Sequence, residues 1–184
     1  MLPLEPLAAP LVPVLSALVL IAAAYDYRHR RIPNWLNVGG AGAGLLLNYA
    51  LFGMGGLGGS AQALVYGFSV YFVLYLLRAM GAGDVKLMAA VSAIAGPGRW
   101  FTIFIFTSLI GGITAIALLA AKRRLRRTFW NVGFVFSQLA RFRSPAIGSE
   151  ELDVKNPKAL TLPAGVRIAA GVFAFLIAST LWGD

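Results

Sequence analysis

The sequence predicts an all-α integral membrane protein with about six transmembrane helices, built around runs of roughly 20 apolar residues. Three observations carry that expectation. Hydrophobic residues make up 59% of the chain and charged ones 12%, against about 25% charged in soluble domains, and the mean hydropathy is +0.76. The apolar runs are punctuated by glycine, proline and arginine clusters at the spacing a bilayer demands. If the chain crosses at each run, every one of its 16 Lys and Arg residues except Arg99 falls on one side, the asymmetry of a positive-inside topology.

The first run covers residues 7–25, with Pro10 and Pro13 near its start, and stops at Asp26-Tyr27-Arg28-His29-Arg30-Arg31. A cleavable signal peptide would begin with basic residues, but this start carries Glu5 and no Lys or Arg before residue 28, so a retained helix is expected. The second run, 34–52, starts behind Pro33, in a first turn that tolerates a missing N–H. Gly40 and Gly44 share one of its faces, as close helix packing in lipid requires. Residues Gly53 to Gly59 predict a glycine-rich turn before the third run, 61–77, which ends at Arg78. The fourth run, 84–95, closes at Gly96-Pro97-Gly98 and is too short to cross alone, so it either extends back through Asp84 or lies shielded by its neighbours. The fifth covers 100–121 and the sixth 164–182. Between them, residues 122–160 form a basic loop opening with Lys122-Arg123-Arg124-Leu125-Arg126-Arg127. Its aromatic segment 129–136, followed by Arg141 and Arg143, suits a short amphipathic helix in the membrane interface. The whole chain, 1–184, reads as one membrane-embedded domain.

Composition excludes several chemistries. Cysteine is absent and His29 is the single histidine, so thiolate nucleophiles, a Ser-His-Asp triad and imidazole-rich metal sites are ruled out. No metal or cofactor is expected. The net charge of +9 sits in loops flanking apolar runs, where anionic lipid rather than nucleic acid is the expected partner. The same asymmetry puts both termini outside and the segments bearing Asp26 and Asp84 in the cytoplasm.

Of seven acidic residues, Glu5 and Asp184 are terminal and Glu150, Glu151 and Asp153 lie in the polar loop, leaving Asp26 and Asp84 at the membrane boundary. Singly, each has an ordinary explanation: Asp26 as an i,i+4 partner of Arg30, Asp84 as the N-cap of the fourth helix. Together they fall on the same side at matching depth. Two close carboxylates resist double ionisation, so one can take a proton from water while the other hydrogen-bonds a scissile carbonyl and then protonates the leaving amine. Gly81 and Gly83 would let a substrate backbone approach Asp84.

The strings Asp26-x5-Ile32-Pro33-Asn34-x-Leu36 and Gly81-x-Gly83-Asp84-Val85-Lys86-Leu87, with Leu162-Pro163-Ala164-Gly165 before the last helix, resemble the type IV prepilin peptidase family of GxGD aspartyl proteases. The resemblance runs from about residue 12 to the C-terminus, apart from most of 122–160. It implies Asp26 and Asp84 as catalytic aspartates that cut the leader from pilin-like precursors at the cytoplasmic face of a bacterial inner membrane. It further implies Gly81, Gly83, Pro33, Asn34, Pro163 and Gly165 as the backbone of substrate approach, and the pilus assembly machinery as a possible partner. Lys86 recurs in the pattern and reads as a charge-balancing group. With neither cysteines nor an N-terminal cytoplasmic loop, the chain resembles the short, peptidase-only members associated with Flp or Tad pili. The presenilin and signal-peptide-peptidase group shares Tyr25-Asp26, the glycines before Asp84 and Pro163-Ala164, but not the IPN and VKL strings. A small proton-coupled transporter or channel using the two carboxylates as a relay is the alternative from another class, and a structural assembly subunit the third.

Overall fold

The computed structural model describes residues 5–77, 80–121 and 163–182. Among them are five helices and no strand: α1 (Leu11–His29), α2 (Asn34–Leu76), α3 (Ala82–Ala95), α4 (Arg99–Ala121) and α5 (Ala164–Trp182). By length and composition, α1, α2, α4 and α5 can each cross a membrane. The basic loop 122–160, its interfacial segment, Arg78 and Leu162 lie outside the described residues.

At 43 residues α2 is about 65 Å of helix, twice what a hydrocarbon core of about 30 Å holds. It is a hairpin. Gly53 takes φ 64°, ψ −150°, and the chain reverses there. Along the first arm, Asn34, Gly40 and Gly44 meet Lys86, Ala90 and Ala93–Ile94 in turn, so it runs parallel to α3. Along the second, Gly59 meets Pro97, Ser60 meets Ala93 and Gly67 meets Ser92 and Met88, the opposite direction. The turn expected over Gly53 to Gly59 is therefore confined to Gly53, with helix resuming at Met54. The reason is the solvent: in lipid every unpaired backbone group costs several kcal/mol, which outweighs the low helix propensity of glycine.

Wedged between those arms, α3 is buried from Leu87 to Ala95 without interruption. At 14 residues it is about 21 Å long, so it stops short of a full crossing. Both possibilities left open for this segment hold: it begins before Asp84 and is covered by its neighbours. Ending inside an apolar interior leaves the last carbonyls of a helix without partners. Here Ser60 Oγ donates to the Ala93 carbonyl at 2.6 Å, and Asn48 Nδ2 donates to Ala93 at 3.1 Å, Ile94 at 3.2 Å and Gly44 at 2.9 Å. Gly44 makes this possible, because a Cβ there would sit 2.7 Å from the Ile94 nitrogen. Replacing Asn48 with Leu keeps the volume roughly but strands the Ile94 carbonyl and leaves Ala93 with Ser60 alone. The expected cost is about 2 kcal/mol, read as a lower unfolding midpoint in detergent. An unchanged midpoint would mean the Ile94 carbonyl finds another donor.

On the other side, α1 packs against α5 and α5 against α4. Ala22 and Asp26 of α1 touch Gly165, while Gly171 and Arg167 of α5 lie against Thr107 and Gly111 of α4. The pairings 171 with 107 and 167 with 111 make α4 and α5 antiparallel. The start of α5 thus lies at the same end of the bundle as the end of α1.

Candidate active site

Asp26 is not beyond the first helix but inside its last turns. Although the apolar run ends at Tyr25, α1 continues to His29 and closes on Arg30 in the left-handed conformation, whose N–H donates to the Asp26 carbonyl at 2.9 Å. Beside it, Tyr25 packs on His29 and edge-on to Trp35, tying this end of α1 to the first turn of α2. The Asp26 side chain points inward and is 7% exposed. Its Oδ2 accepts the N–H of Gly165 at 2.8 Å. Gly165 is the second residue of α5, so this N–H has no partner in its own helix, and a helix start favours negative charge.

Asp84 is held in the same manner by α3. The sequence suggests it as the N-cap, but Gly81 holds that position with φ −81°, ψ 151°, and Asp84 stands in the first turn, three residues on. Its own N–H donates to the Gly81 carbonyl at 3.1 Å, and its Oδ2 accepts the Gly81 N–H at 3.2 Å. In this reciprocal arrangement Asp84 Oδ2 satisfies the N–H of the capping residue that the helix start leaves unpaired. The two are also close enough for the charge of Asp26 to act on Asp84.

The other sequence-predicted positions divide into two groups. Gly83 lies against Ile32, so the GxGD turn and the Ile32-Pro33-Asn34 turn meet beside the carboxylates. Pro33 is the extended N-cap of α2, just before its first residue, and buried Pro163 accepts the Arg167 N–H at the start of α5. Asn34 and Lys86 pair with each other instead: Lys86 Nζ donates to Asn34 Oδ1 at 2.8 Å in an exposed position. That bond fastens the start of α2 to α3.

Two residues that the sequence does not single out complete the site. Tyr71, on the second arm of α2, is 2% exposed, lies edge-on to Phe104, and has Asp84 and Arg167 in its surroundings. Arg167, in the first turn of α5, has its guanidinium against Gly111 of α4 and its buried Nε without a hydrogen-bond partner among the described residues. The usable signal for Arg167 is a lone cation within an apolar helix; counting it with the basic flank hides it. Tyr71 gives no signal, being one aromatic in an apolar run.

The arrangement can do acid and base chemistry: two carboxylates from different helices, each anchored through Oδ2 to a backbone N–H. No curated protein and no solved structure matches the chain. A family model does: residues 13–116, more than half of the chain and the segment carrying both aspartates, match the Type IV leader peptidase family, and the chain, a membrane-type peptidase, belongs to that family.

Proposed function

We propose that this protein is a membrane aspartyl endopeptidase that removes the leader peptide from pilin-like precursors of the Flp type, with Asp26 and Asp84 as its catalytic pair. The observation that carries this reading is the pair itself, two carboxylates from different helices each held by a helix-start N–H. One aspartate, ionised, takes a proton from water, whose oxygen attacks the scissile carbonyl carbon. The other, protonated, hydrogen-bonds the carbonyl oxygen. As the tetrahedral intermediate collapses, the C–N bond breaks, the pair gives the proton taken from water to the leaving nitrogen, and the two aspartates again share one proton. Neither step calls for a metal or cofactor.

In this reading the chain is a single domain. The two arms of α2 cross separately, α3 enters between them, and six membrane-embedded segments result. The basic loops then face the cytoplasm of a bacterial inner membrane, with both termini on the opposite side and the active site at the cytoplasmic boundary. Gly81, Gly83, Pro33 and Pro163 border the space where the precursor backbone would approach. Anionic headgroups neutralise the basic loops, and the pilus assembly machinery receives the product. Methylation of the new N-terminus is not part of the activity.

The test uses the purified full chain in lipid nanodiscs and a full-length small prepilin. A single new N-terminus immediately behind the basic leader, seen by mass spectrometry, is the expected product. Cleavage confined to precleaved helical stubs, or no cleavage of any prepilin by folded protein, would overturn the reading.

A further inference from the structure

We propose that Asn37 binds the main chain of the precursor just behind the scissile bond, its side-chain amide pairing with a peptide unit that the substrate helix gives up. The inference rests on the peptidase reading and adds a binding residue to it. Asn37 is 3% exposed, and neither its Nδ2 nor its Oδ1 has a hydrogen-bond partner among the described residues. Buried amides are otherwise hydrogen-bonded almost without exception, because desolvating a donor and an acceptor with no return is costly. The same arm of α2 shows the contrast: Asn48, also buried, spends its amide on the carbonyls of Gly44, Ala93 and Ile94. Of the other unpartnered buried groups among the described residues, the Ser92 and Thr107 hydroxyls are closed off by Gly67 and Gly171, and Arg167 Nε can only donate.

The contacts of α2 place Asn37 one helical turn deeper than both aspartates. Toward α3, Asn37 lies in line with Gly44, which packs on Ala93 and Ile94. The two helices run parallel, so an equal step back along each brings Asn37 to the level of Lys86 and Leu87, one turn past Asp84. Toward α1, Trp35 meets Tyr25 and Gly40 meets Leu18, so these helices run antiparallel and Asn37 comes level with Ala22, one turn before Asp26. With the leader on the cytoplasmic side, the precursor residues at that depth are those that follow the scissile bond. Their backbone must leave the helix for water to attack, and in an apolar interior each freed N–H and C=O needs a new partner. A side-chain amide offers a donor and an acceptor in the arrangement of a peptide unit. Between the membrane boundary and Asn37, the seam of α2 and α3 is closed by the exposed Lys86–Asn34 bond and by Gly83 on Ile32. A precursor entering between the carboxylates parts that seam and meets Asn37 next.

The experiment measures leader cleavage by the full chain in nanodiscs, for wild type, Asn37→Leu and Asn37→Val. The substrate is a small prepilin made by chemical synthesis, in which the backbone amides of the first turn behind the scissile bond are replaced by esters one at a time. An ester has no N–H and is a poorer acceptor. Asn37→Leu is close in volume and breaks no hydrogen bond among the described residues. Its unfolding midpoint should therefore be no lower than that of wild type, while kcat/KM on the all-amide prepilin falls about tenfold. At one of the replaced bonds the ester should cost wild type about tenfold and cost Asn37→Leu nothing further, the non-additivity of two partners in one contact. Asn37→Val gives the same comparison should Asn37→Leu fail to insert. Cleavage by Asn37→Leu at the wild-type rate overturns the assignment. So do ester and substitution losses that multiply at every bond, a result that leaves the amide to a trapped water. Asp26→Asn and Asp84→Asn, assayed alongside, separate the two failures. If they cleave the all-amide prepilin normally, the peptidase reading itself fails; if they are inactive while the losses multiply, only the role of Asn37 does.

Discussion

Asp26→Asn and Asp84→Asn are each expected to slow leader cleavage by about 1,000-fold or more, with insertion and the unfolding midpoint nearly unchanged. The substitution is chosen because of how the carboxylates are held. Each uses one oxygen to accept a backbone N–H, from Gly165 at 2.8 Å or from Gly81 at 3.2 Å. An asparagine carbonyl accepts the same bond, so the anchors of α5 and α3 survive. What is lost is the proton exchange: an amide neither takes a proton from water nor gives one to an amine. Because the two groups work as a unit, the double variant should be scarcely worse than either single one, whereas independent contributions would multiply. Single-turnover cleavage of a prepilin, with thermal unfolding on the same samples, measures both. Near-normal processing by either variant would remove the dyad from the mechanism.

Much of the architecture is legible in the sequence because lipid imposes length. The last helix runs over 164–182 as the apolar run predicts, and the fifth differs by one residue at its start. Where composition and backbone part ways, the sequence misleads. Apolar residues end at Tyr25, yet hydrogen bonding carries α1 another turn, and that turn puts Asp26 inside the bundle. Seven residues rich in glycine suggest a loop, but only Gly53 leaves the helical region. At the site, the aspartates and glycines can be found from motif and sidedness. The contacts that give them roles cannot, since Gly165 reaches Asp26 only once the start of α5 has docked on α1, across 139 residues. Arg167 and Tyr71 stay hidden for the same reason: each lies in a segment that looks apolar, and their neighbours are set by packing between helices.

Gly165 offers the sharpest test of that docking. Gly165→Ala is expected to lower kcat for leader cleavage by about 10- to 100-fold, a loss on the scale that small misplacement of a catalytic group produces. A Cβ at this position would stand 3.0 Å from the Asp26 Cβ, 3.1 Å from the Ala22 carbonyl oxygen and 3.3 Å from Asp26 Oδ2. One of these neighbours is backbone of α1, which cannot rotate away, so α5 must retreat by a few tenths of an ångström. The bond from the Gly165 N–H stretches with it, and Asp26 loses the partner that fixes its orientation toward Asp84. Helix propensity acts the other way, since alanine in a helix is favoured over glycine by about 1 kcal/mol. A fall in rate therefore cannot be assigned to a weaker α5. The matched control is Gly112→Ala on α4, where a Cβ would meet nothing within 4 Å. That variant should gain the same propensity and keep its activity. If Gly165→Ala is as active as Gly112→Ala, the helix-start bond to Asp26 does not position the carboxylate, and the anchor must be sought in the rest of α1.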